Sequence, residues 1–193
     1  MSATAVAERA ARRAPGEPEL WLFILGDLTV FGIFFGVWGW NHRQRPELFE
    51  LGRAHLDQTI GLTNTTVLIT SSAAVALALA AARDGRFTAA RRGYLAAIAL
   101  GTVFAALKVV EYREHLDAGI DPALREFFMY YFVFTGIHLV HVLVGLLGLT
   151  IAAFRCRRPG TGPNDLALLE GIGVYWHMVD VLWIVLFALI YLL

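Results

Sequence analysis

The residues of this 193-residue chain that could do chemistry are ionisable side chains placed within apolar runs. His138 and His141 stand three apart in the stretch FTGIHLVHVLVG. His177 and Asp180 repeat that spacing in YWHMVDVLW. A spacing of three puts each pair on one side of a helix. If the two helices run in opposite directions, the pairs lie at similar depths, and with Glu111 they form a candidate histidine and carboxylate metal site.

A packing role competes with the metal hypothesis. Membrane metal enzymes that use helical histidines supply denser ligand sets, such as HxxHH or ExxH repeats, whereas two pairs and a distant carboxylate are sparse. A haem held by His177 opposite His138 or His141 is compatible with the spacing. In the alternative that we favour, each imidazole bonds to a carbonyl, a carboxylate or a lipid headgroup.

Two further sites contain charged side chains in apolar surroundings, where each costs roughly 2.5 to 3.5 kcal/mol on insertion scales. Asp27, in LFILGDLTVFGIFF, lies about 12 Å into its segment at about 1.5 Å per residue. It is a candidate for a proton or lipid path, or else a neutral or hydrogen-bonded carboxyl. Lys108 and Glu111, in ALKVVEYREH, are three apart and predict a structural ion pair within one helix.

The elements that must position these residues are membrane-spanning helices, each of which needs about 20 mostly apolar residues. Five segments qualify, at residues 19–41, 59–82, 93–115, 127–154 and 170–193, and polar connections join them. The sequence therefore predicts an all-α, multi-pass bundle of five transmembrane helices over residues 19–193. Residues 1–18 are polar and predict a flexible cytoplasmic tail.

Charge and cysteine content limit the remaining possibilities. Arginines number ten in the tail and the second and fourth connections, against five elsewhere, which predicts a cytoplasmic N-terminus and an external C-terminus. The net charge is zero, so nothing indicates a nucleic-acid partner. Cys156 is the only cysteine, which excludes a disulfide within the chain and a CxxC pair.

Four stretches together resemble subunit III of the haem–copper oxidases. They are NTTVLITSS from Asn64, ALKVVEY from Ala106, FVFTGIHLVHVLVG from Phe132 and VYWHMVDVLWIVLFALIY from Val174. The last two carry the most specific motifs, and the resemblance extends from Trp21 to the C-terminus.

The resemblance implies a subunit of a bacterial plasma membrane complex that holds no haem, copper or iron of its own. Those groups belong to the catalytic subunit I, against which such a subunit packs while it binds phospholipid and sustains proton uptake. The family motifs make seven residues candidates for lipid contact or packing: Asn64, Glu111, His138, His141, Trp176, His177 and Asp180.

Some features depart from the longer family members, which have seven helices and of which this chain matches the last five. Where many members carry a glutamate before the NT motif, this chain has Asp27. The five-helix form with ILGD is similar to the NorE-like branch associated with nitric oxide reductase. Three functions stay open: a subunit of an oxygen or nitric oxide reductase, an assembly factor for nitric oxide reductase, and a stand-alone membrane metalloenzyme.

Overall fold

The computed structural model describes residues 18–157 and 163–193, so the predicted tail lies, apart from its last residue, outside the described residues. The regular structure of these two ranges is helical. In chain order the elements are α1 (Pro18–Gln44), α2 (Pro46–Ala54), α3 (Gln58–Arg83), α4 (Phe87–Ala118), a 3₁₀ turn (Pro122–Leu124), α5 (Arg125–Arg155), α6 (Pro163–Phe187) and a closing π-helical turn (Ala188–Leu192).

The predicted fold class is confirmed. Within the described residues, α1 and α3 to α6 are the five helices that are long and apolar enough to cross a membrane. The helices exceed the predicted segments, since α4 begins at Phe87 rather than at residue 93. The orientation of the bundle in the membrane stays a prediction.

Helix α2 was not predicted, because the first connection reads as a polar loop. Pro46 lies in the first turn of this helix, where its missing N–H costs nothing. Phe49 is 2% exposed and packs edge-on against Trp38 of α1. Gly52 lies against the ring of Phe127 so closely that no Cβ would fit. The spacing of Phe49 and Gly52 gives this short helix one buried face, which holds it against the end of the bundle.

Helices α3 to α6 form a four-helix core, in which each helix packs against the next and α6 returns to α3. The interior between them is filled by large side chains that solvent does not reach, including Phe104, Leu149 and Trp183. Helix α1 lies outside this core against α5 and α6. It makes contact mainly through aromatic side chains, such as Phe34 stacked on Phe134 with ring centres 5.2 Å apart.

The start of α3 is defined by a side-chain cap. Asp57 Oδ1 accepts hydrogen bonds from the backbone N–H groups of Thr59, at 2.7 Å, and Ile60, at 3.3 Å. These two N–H groups stabilise the carboxylate form and hold the pKa of Asp57 below its usual 3.8. The helix therefore begins where its unpaired N–H groups find an acceptor.

Candidate functional site

Two charged side chains of opposite sign, Lys108 and Glu111, are buried together in one cluster. Lys108 Nζ is 2.8 Å from Glu111 Oε2 and 3.0 Å from the hydroxyl oxygens of Tyr131 and Tyr191. The Tyr191 hydroxyl in turn donates to Glu111 Oε1 at 2.5 Å. Lys108 and Glu111 side chains are each 1% exposed. All three ammonium donors therefore have acceptors, and the two charges cancel within the cluster.

Aromatic rings complete the surroundings of the ammonium group. Lys108 Nζ lies 4.8 Å from the ring centre of Tyr131 and 5.2 Å from that of Trp183. The faces of such rings attract a cation. Because the partners come from α4, α5 and the end of the chain, the cluster joins three parts of the bundle. The predicted contact between Lys108 and Glu111 is present in this arrangement.

Asp27 and His141 meet between α1 and α5. Asp27 Oδ2 is 3.2 Å from His141 Nε2, a distance suited to an ion pair, although the angles are not those of a hydrogen bond. The other ring nitrogen, Nδ1, lies 2.8 Å from the carbonyl oxygen of Ile137. The two side chains are 19% and 17% exposed. The carboxyl singled out in the sequence thus has an imidazole as its neighbour.

His138 occupies a different environment from His141. It is fully buried, and neither ring nitrogen has a hydrogen-bond partner among the described residues. Its ring packs against Trp183, with centres 5.3 Å apart, and against Phe104 at 5.8 Å. The expectation that each imidazole bonds to a carbonyl, carboxylate or headgroup therefore fits His141, whereas His138 makes aromatic contacts in the core.

His177 and Asp180 lie on the side of α6 that faces α3. His177 Nδ1 is 2.6 Å from Ser72 Oγ, and Asp180 Oδ2 is 3.8 Å from the same nitrogen. The second carboxylate oxygen of Asp180 has no hydrogen-bond partner in the described residues. The contact between His177 and Ser72 thus links α6 to α3, and the His177 side chain is 41% exposed.

Asn64 and Trp176 are both fully buried. Neither polar atom of the Asn64 side chain has a hydrogen-bond partner among the residues described. Trp176 fills the space left by two glycines: a Cβ on Gly145 would lie 2.6 Å from the indole ring, and one on Gly101 would lie 2.9 Å from it. Gly145, in the family motif of α5, therefore leaves room for Trp176 of α6 to pack directly on the backbone of α5.

Apart from the contact between His177 and Asp180, the fold places the residues of the hypothetical metal site in separate environments. His141 faces α1, His138 packs inside the core, His177 contacts α3, and Glu111 belongs to the lysine cluster. In the two described ranges no three histidine, cysteine or acidic side chains converge to hold a metal ion. The structure thus does not assemble the ligand set on which the stand-alone metalloenzyme depends.

A cavity of about 450 Å³ opens between α1, α5 and α6. The Tyr175 hydroxyl, at its wall, donates to the carbonyl oxygen of His141 at 3.3 Å, which places the cavity next to the Asp27 and His141 contact. The walls are mostly apolar and are formed by Leu20, Val144, Gly148, Ala167, Leu168, Gly171, Ile172 and Tyr175. A space of this size and character accommodates a hydrocarbon chain.

Sequence reasoning missed three of these features. Ser72 and Tyr191 lie inside the family-like stretches, yet no local spacing linked either one to a charged residue. The cavity had no sequence signal, since its walls come from three helices that are far apart in the chain. Of these features, only the role of Tyr191 as a hydrogen-bond partner had a signal in the sequence, namely a hydroxyl-bearing residue near the apolar end of the last segment.

Comparison with known proteins gives a consistent set of similarities. The cytochrome c oxidase subunit III family matches residues 19–193. The cytochrome c oxidase subunit 3 of Thermostichus vulcanus is 32% identical over 182 residues, which cover 90% of this chain and 85% of that protein. A probable quinol oxidase subunit 3 of Staphylococcus epidermidis is 24% identical over 90% of this chain and 86% of its own length.

A fused relative is also similar. The heme-copper oxidase subunit I+III of Aeropyrum pernix is 27% identical over 180 residues. The match covers 90% of this chain and 22% of that protein, so the chain spans about a fifth of the fused polypeptide.

Proposed function

Because this chain belongs to the cytochrome c oxidase subunit III family, we propose that it is a membrane subunit of a haem–copper respiratory oxidase and packs against the catalytic subunit without a redox centre of its own. The family match over residues 19–193 is the observation that carries this proposal. The Aeropyrum pernix relative supports the contact, since its name joins subunits I and III in one polypeptide.

The environment of the charged residues is in keeping with a supporting role. Lys108 and Glu111 neutralise each other inside the bundle, and His177 contacts Ser72. The hydrogen bonds of the Lys108 and Glu111 pair are satisfied by side chains from neighbouring helices, so the pair holds helices together and offers no site for a substrate. The chemistry of the complex is therefore assigned to the haem and the copper or iron of the partner.

Helix α1 offers a surface for a neighbour in the membrane. Its aromatic residues Phe31 and Trp38 are buried against the bundle. The glycines at positions 32, 36 and 39 have nothing within 4 Å of where a Cβ would lie. Small residues on an open helix face allow another helix to approach closely. This face is available to the catalytic subunit.

We assign the cavity beside α1 to the acyl chain of a bound phospholipid. Its volume of about 450 Å³ and its apolar walls suit hydrocarbon. Replacing Gly148 by Leu would fill the cavity, since a Cβ at this position meets only the side chain of Ile172, at 3.5 Å. Mass spectrometry of the purified complex should then find fewer retained phospholipids than in the natural protein, and equal retention would contradict the assignment.

Asp27 is proposed to sustain proton supply to the catalytic subunit. Asp27 Oδ2 lies 3.2 Å from His141 Nε2, so two ionisable groups stand beside each other between α1 and α5. Asp27→Asn should leave assembly intact while oxygen consumption decays faster during prolonged turnover. Unchanged activity over many turnovers in that variant would remove this role. Ser72→Ala, which alters a polar contact on the far side of α6, is the matched control.

The named relatives favour oxygen as the electron acceptor, since they are cytochrome c and quinol oxidase subunits. The five-helix form with ILGD keeps a nitric oxide reductase partner as the alternative, either as a permanent subunit or as an assembly factor. Purification through a C-terminal tag in mild detergent tests which of the two partners the chain binds. A stoichiometric haem protein that consumes oxygen supports the proposal, one that reduces nitric oxide supports the alternative, and a chain without a partner contradicts both subunit proposals.

We also propose that the N-terminus faces the bacterial cytoplasm and that Leu193 lies outside. The uneven distribution of arginines supports this orientation. A periplasmic phosphatase fused after Leu193 should be active, whereas the same enzyme fused after Gly85, in the turn between α3 and α4, should be inactive. The opposite pattern would reverse the assignment.

A further inference from the structure

A groove runs between α4 and α5 at the end of the bundle where α4 begins. Arg91, Leu95 and Ile98 follow one another at helical spacings of four and three on α4. Phe154, in the last turn of α5, and Arg157, just after that helix, face them. A cavity of about 70 Å³ lies between the two groups. A second cavity, of about 290 Å³, shares Phe154 and Arg157 in its walls. We call these five residues the arginine groove.

The two arginines of the groove have no acidic partner among the described residues. Arg91 is half-buried, and the guanidinium of Arg157 lies 5.1 Å from the ring centre of Phe154. Three other arginines at this end of the bundle are neutralised, in the pairs Arg83 with Glu170, Arg86 with Asp84 and Arg155 with Asp165. Within residues 18–157 and 163–193, the groove therefore holds two positive charges that no acidic side chain neutralises.

The position of the groove relates these charges to the membrane boundary. Helix α4 begins at Phe87, and Arg91 lies about 6 Å along it at about 1.5 Å per residue, just before the apolar segment predicted from residue 93. Helix α5 ends at Arg155, two residues before Arg157, and its predicted apolar segment ends at residue 154. Leu95 is 43% exposed and continues the groove as an apolar surface toward the membrane interior. Positive charge thus lies at the predicted membrane boundary, with apolar surface beneath it.

We propose that the arginine groove binds a phospholipid with an anionic headgroup, with its phosphate at Arg91 and Arg157 and an acyl chain along Leu95 and Ile98. Guanidinium groups form paired hydrogen bonds with phosphate, and basic pockets between spanning helices bind anionic lipid headgroups. An acidic protein segment would satisfy the charges equally well, but the apolar floor within the membrane favours a lipid. The site is separate from the cavity beside α1, and it does not depend on a catalytic partner.

Native mass spectrometry of the tagged full chain, with whatever subunits co-purify, tests this site. The probes are phosphatidylglycerol and phosphatidylcholine with identical acyl chains. Phosphatidylglycerol should bind more tightly. In the double variant Arg91→Gln with Arg157→Gln, its affinity should fall about 30-fold, because each basic residue near a headgroup contributes about fivefold. Binding of phosphatidylcholine should not change.

Arg92→Gln is the matched control, because this neighbouring arginine is exposed and does not line the groove. Equal binding of the two lipids, an unchanged double variant, or the same loss in the control would each overturn the proposal. Arg91→Lys should retain most of the binding, which separates loss of charge from misfolding. If glycerol phosphate competed at concentrations similar to those of the lipid, the arginine groove would be an anion site that makes no use of Leu95 and Ile98, and the lipid assignment would fail.

A photoreactive residue at position 95 identifies the occupant in the native membrane. A lipid adduct on the groove is expected. Cross-linking to a polypeptide would instead overturn the lipid assignment in favour of a protein segment. The retention of phosphatidylglycerol by a chain purified without any haem protein would leave this site standing even if the proposed subunit role failed.

Discussion

The buried pair formed by Lys108 and Glu111 gives the sharpest prediction. Glu111→Gln leaves the ammonium of Lys108, 1% exposed, without a counter-charge. Breaking a buried pair in this way costs about 3 to 5 kcal/mol. Lys108→Met leaves the Glu111 carboxylate with only the Tyr191 hydroxyl as donor and should cost a similar amount.

The double variant should be far less unstable than the two single changes imply. With both charges gone, the remaining loss is that of the hydrogen bonds that Lys108 donated to the hydroxyls of Tyr131 and Tyr191, about 1 to 3 kcal/mol. Two single changes would together cost at least about 6 kcal/mol, so a coupling of about 3 kcal/mol or more is expected. A difference of this size requires the two charges to interact, directly or through the Tyr191 hydroxyl that contacts both.

Unfolding in mixed micelles of a mild detergent and dodecyl sulfate, followed by tryptophan fluorescence, measures this coupling. Trp183 lies 5.2 Å from Lys108 Nζ and reports on the cluster. The control is the same cycle on Arg45 and Glu126, whose side chains are 51% and 30% exposed and whose coupling should stay below about 1 kcal/mol. Additive effects at Lys108 and Glu111 would refute the argument that the charges depend on each other.

Three further predictions concern packing and the ends of helices. Gly145→Ala should destabilise the bundle by about 1 to 3 kcal/mol, because its Cβ would meet a buried indole ring at 2.6 Å, whereas Gly36→Ala, with nothing within 4 Å, should leave the unfolding free energy within about 0.5 kcal/mol. Cys156 should react slowly with maleimide near pH 7 and rapidly after unfolding, since burial raises the pKa of its thiol, and fast alkylation of the folded chain would contradict this. Asp57 has a lowered pKa, so its carboxylate should stabilise the folded protein above about pH 4 and lose this effect as the pH falls through the folded-state pKa. In the variant Asp57→Ala, the free energy of unfolding should therefore fall less steeply below about pH 4, and an unchanged decrease would argue against the cap.

Two pairs of residues share the same spacing along a helix, and the sequence predicted the contacts of one pair better than those of the other. Lys108 and Glu111 are partners within a single helix, and helical geometry alone brings them together. His138 and His141 have the same spacing, yet one packs on Trp183 in the core and the other reaches Asp27 on α1. The spacing predicted a shared side of α5, and it carried no information on which helix covers each half of that side.

The sequence by itself determined the class of the protein and its family. Five apolar segments are enough to predict five spanning helices, because each one must satisfy its own backbone hydrogen bonds within the membrane. The motif stretches indicated subunit III of the haem–copper oxidases, and the family match over residues 19–193 confirms that assignment. Both inferences rest on properties that are local in the chain.

The tertiary structure alone decided which side chains from different helices meet. The contact of Asp27 with His141, the hydroxyl of Tyr191 on Glu111 and the groove between Arg91 and Arg157 each depend on how two helices are rotated and shifted relative to each other. That register is set by close packing along the whole helix, as where Trp176 lies directly on the backbone at Gly145. Hydropathy and spacing do not encode it, because every rotation of a mostly apolar helix exposes similar surface to lipid.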